Sequence, residues 1–462
     1  MAARRKRTTQ PPTPPPANSG PLPRPAPLLI AGARQLLTLR GPRGTRRGPR
    51  LAELGIIEDG AVLVRDGRIA AAGKTRDVLR RAKALGEAIE EVDASGKIVL
   101  PGFIDSHTHM AFAAPRLLDY EMRIAGLRYE DIAAAGGGIH ASVRHAREAG
   151  RPGVLASLVY FAQQALACGT TTIEVKSGYG LDTETELMLL EAVRDADWVV
   201  APELAPTFLG AHVVPRGRDR SDYIRDVIEE MLPAVAGRKL AEFCDVFCDR
   251  GAFSVSEARR ILRAAAGRGL KTKLHGEQLA RTGATLLAVE IGAASVDHLE
   301  RAGEREIRAL AGSPTVATLL PGATFHLGRH DYAPARKLID GGAAVALATD
   351  FNPGTSPTAS MQMVLSLACT QMGLSPAEAI SAATVNAAHA LARARRVGTL
   401  ERGMQADIAV MDVDDYREIP YYFGMNHCWM TIKRGRIAWS REGAGTAIYG
   451  VGGRVLSSSA TS

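Results

Sequence analysis

From about residue 103 to residue 391, short apolar runs alternate with helical segments, and glycine commonly stands between a helix and the next run. Residues 155–168, Gly169 and then 170–176 follow this order. So do 254–267 before 270–275, and 333–340 with Gly341-Gly342 before 343–349. Runs this short and this apolar suit strands covered on both faces. Ser254 with Glu257, and Ser375 with Glu378, fit the reciprocal cap of a helix start, and Pro376 takes the favoured first helical position. Eight strand candidates emerge: 104–109, 171–176, 205–212, 242–248, 271–275, 294–298, 316–321 and 343–350. Helices lie between them, which predicts an α/β fold of the (β/α)8 TIM-type barrel class. An open doubly wound sheet is the alternative, but no glycine-rich nucleotide loop follows an early strand.

The flanks carry a different pattern. LLIAGARQLLTL, AVLVRDGRIAAAG and EEVDASGKIVLPG are short, turn-punctuated pieces, and Asp66-Gly67 reads as a hairpin turn between 61–64 and 68–72. Residues 41–50 read as a loop in this region. After Leu391 the text is again β-like, at 398–411 and 431–438. Both flanks are therefore expected to join in one small β-sandwich domain. The expected organisation is a disordered Pro/Arg-rich tail at 1–27, a composite β-sandwich from 28–100 and 399–445, the barrel at 101–398, and a C-terminal tail at 446–462.

Of the 462 residues, 46% are hydrophobic and 23% charged, which excludes wholesale disorder. No apolar run approaches the ~18 residues of a membrane span, so no membrane partner is expected. The net charge of +8 first suggests a polyanion. Residues 1–50, however, hold eleven basic residues and no acid, leaving 46 basic against 49 acidic residues beyond them. The basicity belongs to the front end, as a solvated tail or a polyanion-binding arm, and no nucleic-acid partner is expected for the body. Five cysteines and no secretory pattern fit reduced thiols in the cytoplasm, with Cys244 and Cys248 as small buried side chains.

Barrel enzymes react at the C-terminal ends of their strands. His107 and His109, two apart, share a strand face there. His212 ends the third strand, His275 the fifth, His298 the sixth and Asp350 the eighth. Imidazole nitrogens with a carboxylate suit zinc or iron rather than magnesium or calcium. His140, His145, His326, His330, His389 and His427 read as structural residues.

IVLPGFIDSHTHM resembles the first barrel strand of the amidohydrolase superfamily, and ATVNAAHAL with GTLERGMQADIAV resembles its closing helix and return. RIAGLRYEDIAAAGGGI, GTTTIEVKSGYGLDTETEL, PTFLGAHVVP, DVFCDRGAFS, KLHGEQL, SVDHLE, LLPGATF and ATDFNPGTSP are similar to the imidazolonepropionase family within it. The resemblance runs from about residue 98 to 412, leaving the tail outside it and 41–50 as a local insertion.

The resemblance implies a hydrolase that opens 4-imidazolone-5-propanoate to N-formimidoyl-L-glutamate in histidine degradation, through attack of a metal-activated water on the ring carbonyl. It implies His107, His109, His275 and Asp350 as metal ligands. Asp350 would carry the proton and His298 would bond the hydroxide or the oxyanion. Arg116, Tyr129, Tyr179, His212, Gln278, Asn352, Gly354 and Thr355 would surround the substrate, with Arg116 on its carboxylate, and a homodimer is implied as well. The fourth strand ends in Cys248-Asp249 and the strand-end Lys176 lies on the second, so one divalent or trivalent ion, zinc or iron, is expected rather than a lysine-bridged pair. Lys176 is left as a structural or substrate-side cation. Gln278 stands where some members have Glu, and Ala113-Ala114-Pro115 departs from the commoner text before Arg116. The rival readings are a related amidohydrolase acting on another cyclic amide or on a heterocyclic amine as a deaminase, and a non-catalytic scaffold or nucleic-acid-binding protein.

Overall fold

The eight expected barrel strands all form, each hydrogen-bonded in parallel to the next. They are Phe103–Asp105, Thr170–Lys176, Glu203–Ala211, Phe243–Cys248, Lys271–Gly276, Ser295–His298, Val316–Leu319 and Val345–Leu347. The structure, a computed structural model, describes residues 26–127 and 129–441, with the side chains of Tyr129, Glu130 and Ala133 excepted. The expected tails, apart from residues 26 and 27, lie outside the described residues. Helices such as Thr183–Asp197 and Val255–Ala266 connect the strands and bury one apolar stripe each. The Ser254–Glu257 and Ser375–Glu378 caps are both made.

The first strand is shorter than 104–109. Its ladder stops at Asp105, and beyond it the chain turns to the last strand. Asp350 N–H donates to His107 O at 3.0 Å and His109 N–H to Phe351 O at 2.9 Å. Below them the Asp105 carboxylate accepts Thr349 N–H (3.0 Å) and Thr349 Oγ–H (2.6 Å). The barrel thus closes at the place where His107, His109 and Asp350 meet.

The two flanks unite in a separate mixed sheet of eight strands. Ile98–Pro101, which leads into the barrel, pairs antiparallel with Ile408–Met411, which leaves it. Strand alternation divides the labour: Ile408 and Val410 pack with Val62, Val64 and Leu28, while Ala409 and Met411 pack against the barrel with Phe103. Asp66 and Gly67 both have positive φ (51° and 72°), the geometry a two-residue hairpin needs between Ile56–Arg65 and Arg68–Lys74.

Residues 41–50 are more than a surface loop. Arg46 is buried and its backbone exchanges hydrogen bonds with the Asn386 side chain, while Arg47 donates to the carbonyls of Leu310, Ala311, Ser313 and Gly342. These two front-end arginines fasten the segment to the barrel instead of standing in solvent. Among the described residues no helix is long and apolar enough to cross a membrane.

Candidate active site

His107 and His109 follow the first strand, and the face they share points at the barrel axis, where His275 arrives from the fifth strand. All three are buried. His109 Nε2 lies 3.3 Å from His107 Nε2 and 3.1 Å from His275 Nε2. Asp350 Oδ1 stands 3.6 Å from His107 Nε2 and 3.5 Å from His109 Nε2. Donors on a tetrahedral ion, with bonds of about 2.0–2.1 Å, are ~3.3 Å apart. Three nitrogens and a carboxylate oxygen at this spacing therefore fit zinc or iron. His107 is common to every group of convergent His and Asp donors found among the described residues.

Electrostatics agree with a set of neutral nitrogen donors. Burial, reinforced by Lys176 and the other histidines, holds His107 far below the usual histidine range. Burial and the neighbouring histidines do the same to His109, and burial lowers His275 against the pull of Asp245. Asp350 is pushed up to about 7 by burial. His298 behaves differently: burial opposes its cation, yet Glu300, with Oε1 3.5 Å from His298 Nδ1, and then Asp350 raise it above the ordinary value. Its ring centroid is 5.5 Å from that of His107 and 5.3 Å from that of His275. Both His298 and Asp350 sit in left-handed backbone, φ 86° and 54°, which is uncommon for such residues and concentrates at functional sites.

On one side of the histidines the His212 ring stacks on His109 at 5.1 Å and donates from Nδ1 to Gly178 O. Burial lowers it to about 3, so it is neutral. The buried Tyr179 packs at 5.7 Å from His212, and the Arg116 guanidinium lies over the Tyr179 ring at 5.8 Å. Arg116 donates to Ser142 Oγ (2.8 Å) and pairs with no carboxylate among the described residues. Gly354 lies against Arg116. Gln278 is half-buried, its backbone N–H held with those of Leu279 and Ala280 by the Asp249 carboxylate.

Asn352 is engaged entirely within its own loop. Its amide donates to Asp350 O and Thr355 Oγ1, and its carbonyl accepts Gly354 N–H and Thr355 N–H, which uses all four bonds an asparagine side chain can make. Tyr129 opens the helix Tyr129–Ala134, but its side chain lies outside the described residues. The six histidines read as structural have no part in the cluster, and all five cysteines are free.

Several buried residues carry the site without having been singled out. The Glu186 carboxylate accepts the N–H groups of Gly178, Gly180 and Leu181, and so shapes the loop that presents Tyr179. Glu174, Asp245, Lys273 and Asp297 lie within the barrel below the histidines, together with Lys176, which is fully buried and paired with Glu174 and Asp245. Their signal was present in the sequence: charges inside strands otherwise apolar on both faces are tolerated only when paired.

Residues 98–438 match the Amidohydrolase family. The imidazolonepropionase of Solibacter usitatus (strain Ellin6076) is 50% identical over 416 residues, covering 89% of this chain and 99% of that protein. That of Geobacillus kaustophilus (strain HTA426) is 46% identical over 415 residues, covering 89% and 97%. Among solved structures, a triazine hydrolase variant superposes with a TM-score of 0.68 at 17% identity, covering 90% of this chain and 95% of the other. The guanine deaminase of E. coli reaches 0.64 at 18%, covering 90% and 99%. Likeness at that level shows a common fold alone. The relatives matched over almost their whole length show more: the chain belongs to the amidohydrolase family and, within it, to the imidazolonepropionases.

Proposed function

We propose that this chain hydrolyses 4-imidazolone-5-propanoate to N-formimidoyl-L-glutamate in histidine degradation. Beyond the family membership, the observation that carries this reading is Arg116. A guanidinium that has no carboxylate partner among the described residues, over Tyr179 and beside Gly354, is matched by a substrate with a propanoate arm. A purine or pyrimidine amine offers it nothing.

His107, His109, His275 and Asp350 would hold one ion, zinc or iron. When bound it supplies Lewis acidity, lowering the pKa of a coordinated water toward ~7 and polarising the ring carbonyl. Asp350 Oδ accepts the proton of the attacking water as its oxygen bonds to the carbonyl carbon. The same carboxyl returns that proton to the ring nitrogen as the carbon–nitrogen bond breaks. His298, raised by Glu300, donates a hydrogen bond to the oxygen on which negative charge develops. Arg116 fixes the propanoate. Tyr179, His212 and Gln278, with Tyr129 and Thr355, orient the ring and carboxylate, and Gly354 leaves the space Arg116 occupies. Asn352 acts by holding its loop. Gln278, a neutral amide, can orient the ring but takes no proton. A lysine-bridged second ion is disfavoured by Lys176, which is fully paired with carboxylates. A homodimer working in the cytoplasm completes the proposal, and sedimentation tests the dimer.

The experiment is turnover of freshly prepared 4-imidazolone-5-propanoate by wild type and Asp350→Asn. Product from wild type and near silence from the variant are expected. A silent wild type with a full complement of metal would overturn the substrate and call for other cyclic amides and amines. Activity surviving in Asp350→Asn would overturn the proton path.

A further inference from the structure

Below the convergent histidines, five charged side chains are completely buried inside the barrel: Glu174 and Lys176 from the second strand, Asp245 from the fourth, Lys273 from the fifth and Asp297 from the sixth. Lys176 Nζ is 2.7 Å from Glu174 Oε2, 2.7 Å from Asp245 Oδ2 and 3.9 Å from Asp297 Oδ2. Lys273 Nζ is 3.0 Å from Glu174 Oε1 and 3.6 Å from Asp297 Oδ2, and it donates to Ser106 O, the carbonyl just before His107. The carboxylate oxygens that face the lysines also face the histidines. Asp297 Oδ2 is 2.6 Å from His107 Nδ1, and Asp245 Oδ2 is 3.1 Å from His275 Nδ1.

We propose that Asp297, Asp245 and Lys176 are positioning residues for metal loading. Asp297 accepts a hydrogen bond from His107 Nδ1–H, and Asp245 faces His275 Nδ1 at 3.1 Å, so that both rings present the Nε2 lone pair to one point. Lys176 ties the two carboxylates together across the barrel and so fixes the separation of the two rings. A metal-ligating histidine whose other nitrogen bonds a carboxylate has its tautomer and its orientation set, and loss of that partner typically weakens the ion 10- to 100-fold. In this chain both carboxylates answer to one ammonium, so removing Lys176 loosens two ligands at once. The inference rests on the reading that His107 and His275 hold the ion.

The test strips the enzyme of metal and measures zinc affinity by competition with a chromophoric chelator, together with thermal unfolding of the metal-free protein. Lys176→Met and Asp297→Asn are compared with Lys433→Met, which removes a buried lysine of the separate sheet that pairs with Asp407 and reaches the barrel only at Thr171 O, the opposite end of the second strand from Lys176. The first two are expected to bind zinc ~10- to 100-fold more weakly, and Lys176→Arg to recover part of the loss. Lys433→Met is expected to unfold earlier with affinity unchanged. Zinc bound by Lys176→Met and Asp297→Asn within twofold of wild type would overturn the proposal. Where Lys176→Met fails to fold, the isosteric Asp297→Asn decides it alone. A wild type that takes up no zinc or iron would overturn the metal reading itself, a result distinct from normal wild-type loading with unaffected variants.

Discussion

Gly354 gives Arg116 its place. A Cβ built on Gly354 would stand against Arg116 Nη1 closer than real Cβ contacts come, and φ at this glycine is not in the left-handed region. Space, not backbone freedom, is what an alanine would take. Gly354→Ala is therefore expected to push the guanidinium off Tyr179 while leaving the histidine cluster alone. A charge-assisted bond to a carboxylate is worth ~1.5–3 kcal/mol, so KM should rise ~10- to 100-fold with kcat changed far less. Steady-state kinetics check this, and equal losses in kcat and kcat/KM would place Arg116 elsewhere in the reaction.

Asp105 clasps the seam between the first and last strands through Thr349 N–H and Oγ–H. Burial drives its carboxyl up to about 7 against those bonds, so the site tolerates a neutral group. Asp105→Asn can keep the acceptor for Thr349 N–H and should cost less than ~1 kcal/mol. Asp105→Ala leaves the buried Thr349 N–H unpartnered and opens a void, for ~2–4 kcal/mol. Denaturant unfolding of the two variants distinguishes them.

The eight strands were legible because parallel strands covered on both faces write themselves as apolar runs, and the barrel class followed from their number. The end of the first strand was less so. Residues 104–109 read as one strand, yet the ladder stops at Asp105 because the backbone at His107 and Asp350 pairs across the seam. His107, His109, His275, His298 and Asp350 stood at strand ends in order, and the structure gathers them. Asn352 could be named but its bonding could not, since only the folded loop reveals that its amide is saturated. Arg46 and Arg47 read as solvated because their partners, Asn386 and four backbone carbonyls, lie some 260 to 340 residues away in the chain.

Glu186 folds the loop that carries Tyr179 by accepting three backbone N–H groups, one of them from Leu181, whose φ of 58° is strained. Glu186→Ala removes those acceptors and frees the loop. Tyr179 should then lose its place beside His212 and Arg116, raising KM at least ~10-fold, with zinc content unchanged because the one proposed ligand near this loop, His109, meets it only through a ring contact with Tyr179 at 6.1 Å among the described residues. Kinetics beside metal analysis make the check, and lost zinc would show that the loop supports the metal cluster as well.

His212 sets a pH dependence whose sign can be worked out. Burial lowers its folded-state pKa to about 3, against ~6.5 in the unfolded chain. Between those values the unfolded state binds the extra proton, so stability rises with pH across the window and is lost as pH falls below ~6.5. The loss is bounded by ~1.4 kcal/mol per pH unit and ends only near 3, where the folded form also takes up the proton. Asp105 and Asp350, raised to about 7, work in the opposite sense between ~4 and 7, so the total profile of wild type mixes both. A difference isolates the histidine. His212→Gln lacks its titration, so the stability advantage of wild type over the variant should shrink steadily from pH 7 to pH 5. Unfolding of both proteins at half-unit steps measures it, and a constant gap would mean that His212 takes up its proton in the folded enzyme and can itself act as an acid.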